Sequence, residues 1–171
     1  MEAVGDRDSK EKAQEWQAFE AESLSAQDVA CGTMMGAGQR HFQRLVYPCI
    51  VLDEVAQSTE PESLVPLVQA ATEAHVVLVG DEQQLPPTVK SKEAEFAGLG
   101  VSLFERLLAC VGIPRMQLDT QYRMHPSIVA LPNRSFYHSS LKSAAHTKNM
   151  RTVKGFPWPC SGVRLVFESG K

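Results

Sequence analysis

Cysteine is scarce in this chain of 171 residues, and its four copies, Cys31, Cys49, Cys110 and Cys160, form no CxxC pair. That spacing indicates neither a zinc site nor a disulfide framework, and a reducing interior is the simpler context. No apolar stretch approaches the ~20 residues of a membrane span. The N-terminus is acidic and polar where a secretory signal would be basic and then apolar. The expected compartment is cytoplasmic or nuclear, with no membrane partner. Proline and glycine, at 10 and 11 copies, are too few for a low-complexity chain. With 43% hydrophobic and 22% charged residues, a packed core is within reach.

Charge is unevenly spread. Residues 1–114 hold 8 Lys/Arg against 18 Asp/Glu, a balance of −10, whereas 115–171 hold 9 against 2, a balance of +7. The basic part is either an electrostatic footprint for nucleic acid or a solvated face, and charge alone leaves both open.

The densest information lies in residues 50–88, IVLDEVAQSTEPESLVPLVQAATEAHVVLVGDEQQLPPT. Two short apolar runs are each stopped by acid: Cys49–Leu52 by Asp53 and Glu54, and Val76–Val79 by Gly80 and Asp81. Between them Ser58-Thr59 followed by Pro61 signals a helix start, and Leu64, Leu67, Val68 and Ala71 share one helical face, with Pro66 expected to bend it. This is a βαβ pattern with a parallel sheet, and the crossover is long enough for one. Ligands of open parallel sheets bind outside the carboxyl ends of the strands, where these acids stand.

Elsewhere, residues 1–27 read as a mostly exposed helix with a narrow stripe of Ala13, Trp16, Phe19 and Leu24, or as a frayed segment. Val29–Cys31 suggests a short strand, followed by a Gly36-Ala37-Gly38 loop. Lys90–Glu95 reads as a polar loop, Ser102–Cys110 as an amphipathic helix ended by Gly112 and Pro114, and Met116–Leu118 as a short strand. A helix restarts at Pro126 and is interrupted at Pro132. Ser139–Gly155 is polar and basic and reads as a loop, and Val163–Phe167 alternates like a final strand.

An Asp followed directly by a Glu at a strand end suits phosphate-ester hydrolysis. Asp53 can anchor the water shell of a magnesium ion, which takes few carboxylates, and Glu54 can orient and deprotonate the attacking water. The same pair also serves as ordinary helix N-terminal acid, favoured by the dipole.

Three ordered segments, DEVAQ, VGDEQQLPP and QYRMHP, resemble motifs II, III and IV of superfamily 1 helicases, in the branch of the regulator of nonsense transcripts and the senataxin-like helicases. The resemblance runs from about Asp28 onward, through CGTMMGAG, TEPESLVPLV, SLFERL and GFPWP. It implies a RecA-like P-loop NTPase fold of the α/β class that is incomplete: a segment 1–27, the later part of a first RecA-like domain at 28–115, and the opening part of a second at 116–171. It also implies Asp53 as the magnesium-associated acid, Glu54 as the base for ATP hydrolysis, Gln84 as the sensor of the terminal phosphate, Arg123 as the arginine reaching that phosphate, and Tyr122 as an aromatic near the adenine. Gln57 would link the hydrolysis site to the neighbouring domain. The cofactors implied are ATP and Mg2+, and the partner is single-stranded RNA or DNA.

Plainer roles stand beside these. Gln84 and Asp81 can cap a loop, Tyr122 can face a core, and Thr33, which matches a loop meeting the nucleic-acid backbone in relatives, can be a turn residue. Phe156 and Trp158 can stack on bases or pack under a loop, and His125 reads as structural. Val55 stands where the pattern commonly has alanine, a change that concerns packing more than chemistry. No GxxxxGK[ST] sequence occurs in the 171 residues, so the backbone phosphate cradle of that motif is not supplied here. The expectation is a fragment of an ATP-dependent helicase that does not turn over ATP alone. The alternative is a degenerate non-catalytic module that binds nucleic acid or protein.

Overall fold

The computed structural model describes residues 2–42, 45–110, 112–149 and 154–156. The chain divides into two compact units, residues 1–113 and 114–171. The expected strand Val163–Phe167 and Trp158 lie outside the described residues.

The first unit opens with helix α1 (Glu2–Ser25), and its residues from 11 onward are mostly exposed. Where a strand was expected at Val29–Cys31 the backbone is irregular, and no strand among the described residues pairs with it. Gly36–Gly38, expected as a loop, winds into a single 3-10 turn. Strand β1 (Tyr47–Leu52), helix α2 (Glu60–Leu67) and strand β2 (Ala70–Leu78) then form the βαβ unit, with β1 and β2 parallel.

Helix α2 starts as its sequence dictates. Thr59 is the N-cap, and the Glu62 carboxylate accepts both the Thr59 N–H at 2.9 Å and the Thr59 hydroxyl at 3.0 Å. Pro61 occupies the first turn, where its missing N–H costs nothing. The helix stops after Leu67, just past the buried Pro66, so the expected apolar face does not extend to Ala71. Gln69 is buried at 6% exposure, and its carbonyl accepts the Tyr47 N–H at 2.9 Å, which draws the chain into the sheet at Ala70. Tyr47 pairs with Ala70 and Cys49 with His75, so β2 bulges before settling into register, Leu52 opposite Leu78.

Only one face of this pair is well covered. Ile50 and Leu52 are buried with Val55, packed against Leu67, Leu78 and Phe104, whereas Val51 is 61% exposed and Val77 46%. The apolar runs read as buried strands are therefore half buried. After β2 come a three-residue helix α3 (Lys92–Ala94), inside the stretch expected as a loop, and helix α4 (Leu103–Leu108). The Ser102 hydroxyl caps α4 by accepting the Glu105 N–H at 3.1 Å. Leu103 is buried beneath it.

In the second unit, Met116 and Leu118, expected in a strand, are 88% and 78% exposed and have no strand partner among the described residues. The strand falls instead at β3 (Thr120–Gln121), parallel to β4 (Lys142–Ser143), which lies inside the stretch expected as a loop. Helix α5 (Pro126–Phe136) runs through Pro132 rather than breaking there. Val129 is buried beneath it, and the Asn133 side chain bonds both the carbonyl and the N–H of Leu141 at 2.9 Å, anchoring the turn that holds the proline. A 3-10 turn at Ala145–Asn149 follows β4.

Arg106 on α4 forks onto Glu60 at the start of α2, with nitrogen–oxygen distances of 2.6 and 2.7 Å. The Arg106 hydrogen bond, aided by its charge, holds the Glu60 carboxyl below the usual glutamate range. A carboxyl with a lowered folded pKa stabilises the fold above its unfolded value, about 4.3, and loses that contribution as pH falls through the folded value. Thermal unfolding of the wild type and Arg106→Gln from neutral pH to about pH 3 is expected to show a wild-type advantage that shrinks below about pH 4.3; a pH-independent difference would contradict the assignment.

Candidate functional site

The ends of β1 and β2 interlock before either chain leaves the sheet. The Leu52 carbonyl accepts the Val79 N–H at 2.8 Å, and the Val79 carbonyl accepts the Val55 N–H at 3.0 Å. These bonds draw Val55 and Ala56, the residues that follow the acid pair, against Gly80. A Cβ at Gly80 would lie 3.0 Å from the Ala56 nitrogen and 3.3 Å from Val55 Cγ1, so the close approach depends on glycine.

Glu54 adopts a left-handed backbone, φ 54° and ψ 30°. For a residue with a Cβ this costs roughly 1–2 kcal/mol, and it persists because its neighbours fix it. Val55, fully buried, and Ala56, 4% exposed, anchor the following 3-10 turn Val55–Gln57 in the core. The larger side chain at position 55 is thus a packing element. Asp53 Oδ1 accepts the Glu54 N–H at 2.9 Å, and Glu54 Oε2 accepts a bond from Gln57 Nε2 at 2.8 Å. Both acids remain exposed while their directions are set by short local bonds.

Asp53 is compatible with Mg2+. Only its Oδ1 carries a hydrogen bond among the described residues, and magnesium binds through one or two carboxylates, completing its shell with water and phosphate oxygens. Among the described residues no cluster of three or more metal-ligating side chains occurs.

Past β2, Asp81 organises the next turn. Its Oδ1 accepts the Gln83 N–H at 3.0 Å and its Oδ2 accepts a bond from Gln84 Nε2 at 2.7 Å. Asp81 and Gln84 do cap a loop, and the same bonds fix where the Gln84 amide stands. Thr33 lies elsewhere on this unit: its Oγ1 accepts the Gly36 N–H at 3.0 Å, the role of a turn residue, and its hydroxyl proton is still available to an acceptor.

The second unit carries Tyr122 and Arg123. Gln121 holds their loop through all its amide capacity: Oε1 accepts the N–H groups of Arg123 at 3.0 Å and Met124 at 2.7 Å, and Nε2 donates to the Met124 carbonyl at 2.7 Å and Ser143 Oγ at 2.8 Å. His125 closes the loop as the N-cap of α5, its Nδ1 accepting the Ser127 N–H at 3.2 Å, in keeping with a structural role. Tyr122, 65% exposed, is not core-facing. Its ring stacks on His146, and His146 Nε2 lies 3.2 Å from the Tyr122 carbonyl. Sequence reasoning did not single out Gln121, although it adjoins Tyr122 in the motif. It also gave no signal for His146, which is 24 residues away and reaches Tyr122 through the β3–β4 pairing.

A family model described as an AAA domain matches residues 3–92, and a second with the same description matches residues 99–168. The first match includes nearly all of α1. The regulator of nonsense transcripts 1 homolog of Drosophila melanogaster is 44% identical over 142 residues, covering 83% of this chain and 12% of that protein. The ATP-dependent helicase NAM7 of Saccharomyces cerevisiae is 41% identical over 150 residues, 86% of this chain and 15% of that protein. The probable helicase MAGATAMA 3 of Arabidopsis thaliana is 38% identical over 122 residues, 71% of this chain and 14% of that protein. The chain thus spans well under a fifth of the length of these relatives.

The left-handed backbone at position 54 yields a stability test. Glu54→Gly removes the strain at the cost of one exposed hydrogen bond to Gln57, and it is expected to raise the melting temperature by a few degrees, corresponding to about 1 kcal/mol. Calorimetry of the two proteins checks this; a lowered melting temperature would show that the conformation is not strained.

Proposed function

Since the chain belongs to the AAA-domain family, with the incomplete RecA-like α/β fold of its helicase members, we propose that it supplies the hydrolytic and terminal-phosphate groups of an ATP-driven helicase that moves on single-stranded RNA or DNA. The observation that carries this reading is the interlocked pair of strand ends, which fixes the turn bearing Asp53 and Glu54 at the end of β1 in a chain that also carries the QYRMHP loop. Relatives whose names identify them as ATP-dependent helicases support the same reading.

Asp53 is the residue that would hold a magnesium ion with its water shell. Magnesium supplies positive charge against the phosphate oxygens. Glu54, its Oε2 steadied by Gln57, orients the attacking water and accepts its proton. The Gln84 amide contacts the terminal phosphate, and the Arg123 fork offsets charge that grows on the transferred group. Tyr122 stacks on the adenine, and Thr33 donates its hydroxyl proton to the nucleic-acid backbone. The basic balance of residues 115–171 favours contact with phosphates without reading sequence. A cytoplasmic or nuclear location belongs to the same proposal; among the described residues no helix is long and apolar enough to cross a membrane.

Grafting this chain in place of the matched 150 residues of the Saccharomyces relative gives a protein in which turnover can be read. The graft is expected to hydrolyse ATP faster when single-stranded RNA or DNA is added, and Glu54→Gln is expected to lower turnover by about 100-fold to 10,000-fold. Unchanged turnover in Glu54→Gln would remove the assigned base and the reading with it.

A further inference from the structure

We propose that His146 is a positioning residue that holds the Tyr122 ring ready for a purine base, and so sets how strongly this unit favours a nucleotide over a bare polyphosphate. The inference rests on the nucleotide role given to Tyr122 above.

Two contacts from one side chain define the arrangement. The His146 and Tyr122 rings lie with centroids 6.0 Å apart and planes 20° apart, an offset stack. His146 Nε2 stands 3.2 Å from the Tyr122 carbonyl, so the tautomer protonated there donates to it. One contact fixes the ring and the other fixes the backbone that carries it.

His146 is itself anchored. The next residue, Thr147, is fully buried, and both its hydroxyl and its N–H donate to the Ala144 carbonyl, at 2.7 and 3.0 Å. The Ala144 N–H in turn donates to the Gln121 carbonyl at 3.0 Å. Because Gln121 also clamps the backbone of Arg123 and Met124, the turn that presents His146 and the loop that presents Tyr122 hang from the same residue. The stack is thereby built into the β3–β4 pair.

The stack does little for a core. Tyr122 remains 65% exposed and His146 is exposed as well, so the pair holds an aromatic ring in solvent rather than burying it. An aromatic ring held in place with a face open to solvent is a platform for another flat ring. Immobilising it beforehand removes part of the ordering cost that binding would otherwise carry, an effect of about twofold to tenfold in affinity. A polyphosphate without a base gains nothing from it.

The test titrates the full 171-residue chain with ATP and, separately, with inorganic tripolyphosphate at fixed neutral pH, reading the Tyr122 ring and amide resonances by NMR. His146→Ala and His146→Gln are expected to bind ATP about twofold to tenfold more weakly, with tripolyphosphate unchanged. His146→Phe, which keeps the ring but loses the bond to the Tyr122 carbonyl, is expected to bind ATP more tightly than His146→Ala and more weakly than the wild type. Wild-type ATP affinity in His146→Ala alongside weakened binding in Tyr122→Ala would overturn the role of His146 and leave the nucleotide reading intact. A loss shared by tripolyphosphate, or one as large in His146→Phe as in His146→Ala, would likewise overturn it. If ATP leaves the Tyr122 resonances unmoved, or Tyr122→Ala binds ATP unchanged, the inference and the reading beneath it fall together.

Discussion

Two backbone hydrogen bonds set the geometry of the first unit's candidate site: Val79 N–H to Leu52 O, and Val55 N–H to Val79 O. They join the carboxyl ends of two parallel strands and leave the intervening Asp53 and Glu54 no room except outward. Everything nearby follows from that closure. Gly80 is glycine because Ala56 and Val55 press against it, Val55 is in the core because its N–H is tied to β2, and Glu54 is forced into a left-handed backbone between them. A carboxylate that bonds its own neighbour, as Asp53 does to the Glu54 N–H, then sets the direction of the turn. Exposed acids with fixed directions are what a hydrolytic site at a strand end requires.

The second unit reaches a comparable result by different means. Its sheet has only two residue pairs, so side chains rather than strand length fix the QYRMHP loop. Gln121 uses both amide oxygen lone pairs and both amide protons, His125 caps the following helix, and His146 braces the residue between them. Lys142 adds an exposed ion pair, its Nζ 2.6 Å from Asp119 Oδ2, which ties the starts of β3 and β4 together. Tyr122 and Arg123 stand in solvent on a loop whose backbone is held by Gln121 and His146.

What the sequence made legible was local chemistry. The apolar runs halted by acid gave β1, β2 and the acid turn, and Ser58-Thr59 with Pro61 gave the start of α2, because helix starts and strand ends are written within a few residues. Boundaries governed by distant contacts were not readable. Ala71 fits a helical stripe by spacing, yet it lies in β2 because Gln69 bonds Tyr47 across the sheet. Pro132 signals a break, yet α5 continues because Asn133 is pinned to Leu141. Met116–Leu118 has strand propensity but no partner among the described residues, and β3 forms where Lys142 and Ser143 are available. The site residues were named by motif, whereas the bonds that aim them, from Gln57, Asp81, Gln121 and His146, appear only in three dimensions.

The central claim is that the interlocked strand ends make Asp53 the anchor of a divalent ion held with a nucleotide. Paramagnetic broadening by manganese, added with ATP to the full chain, tests it most directly. The strongest broadening is predicted at the amides of Asp53, Glu54 and Asp81, and it should vanish in Asp53→Asn. Broadening centred elsewhere, or persisting unchanged in Asp53→Asn, would contradict the account.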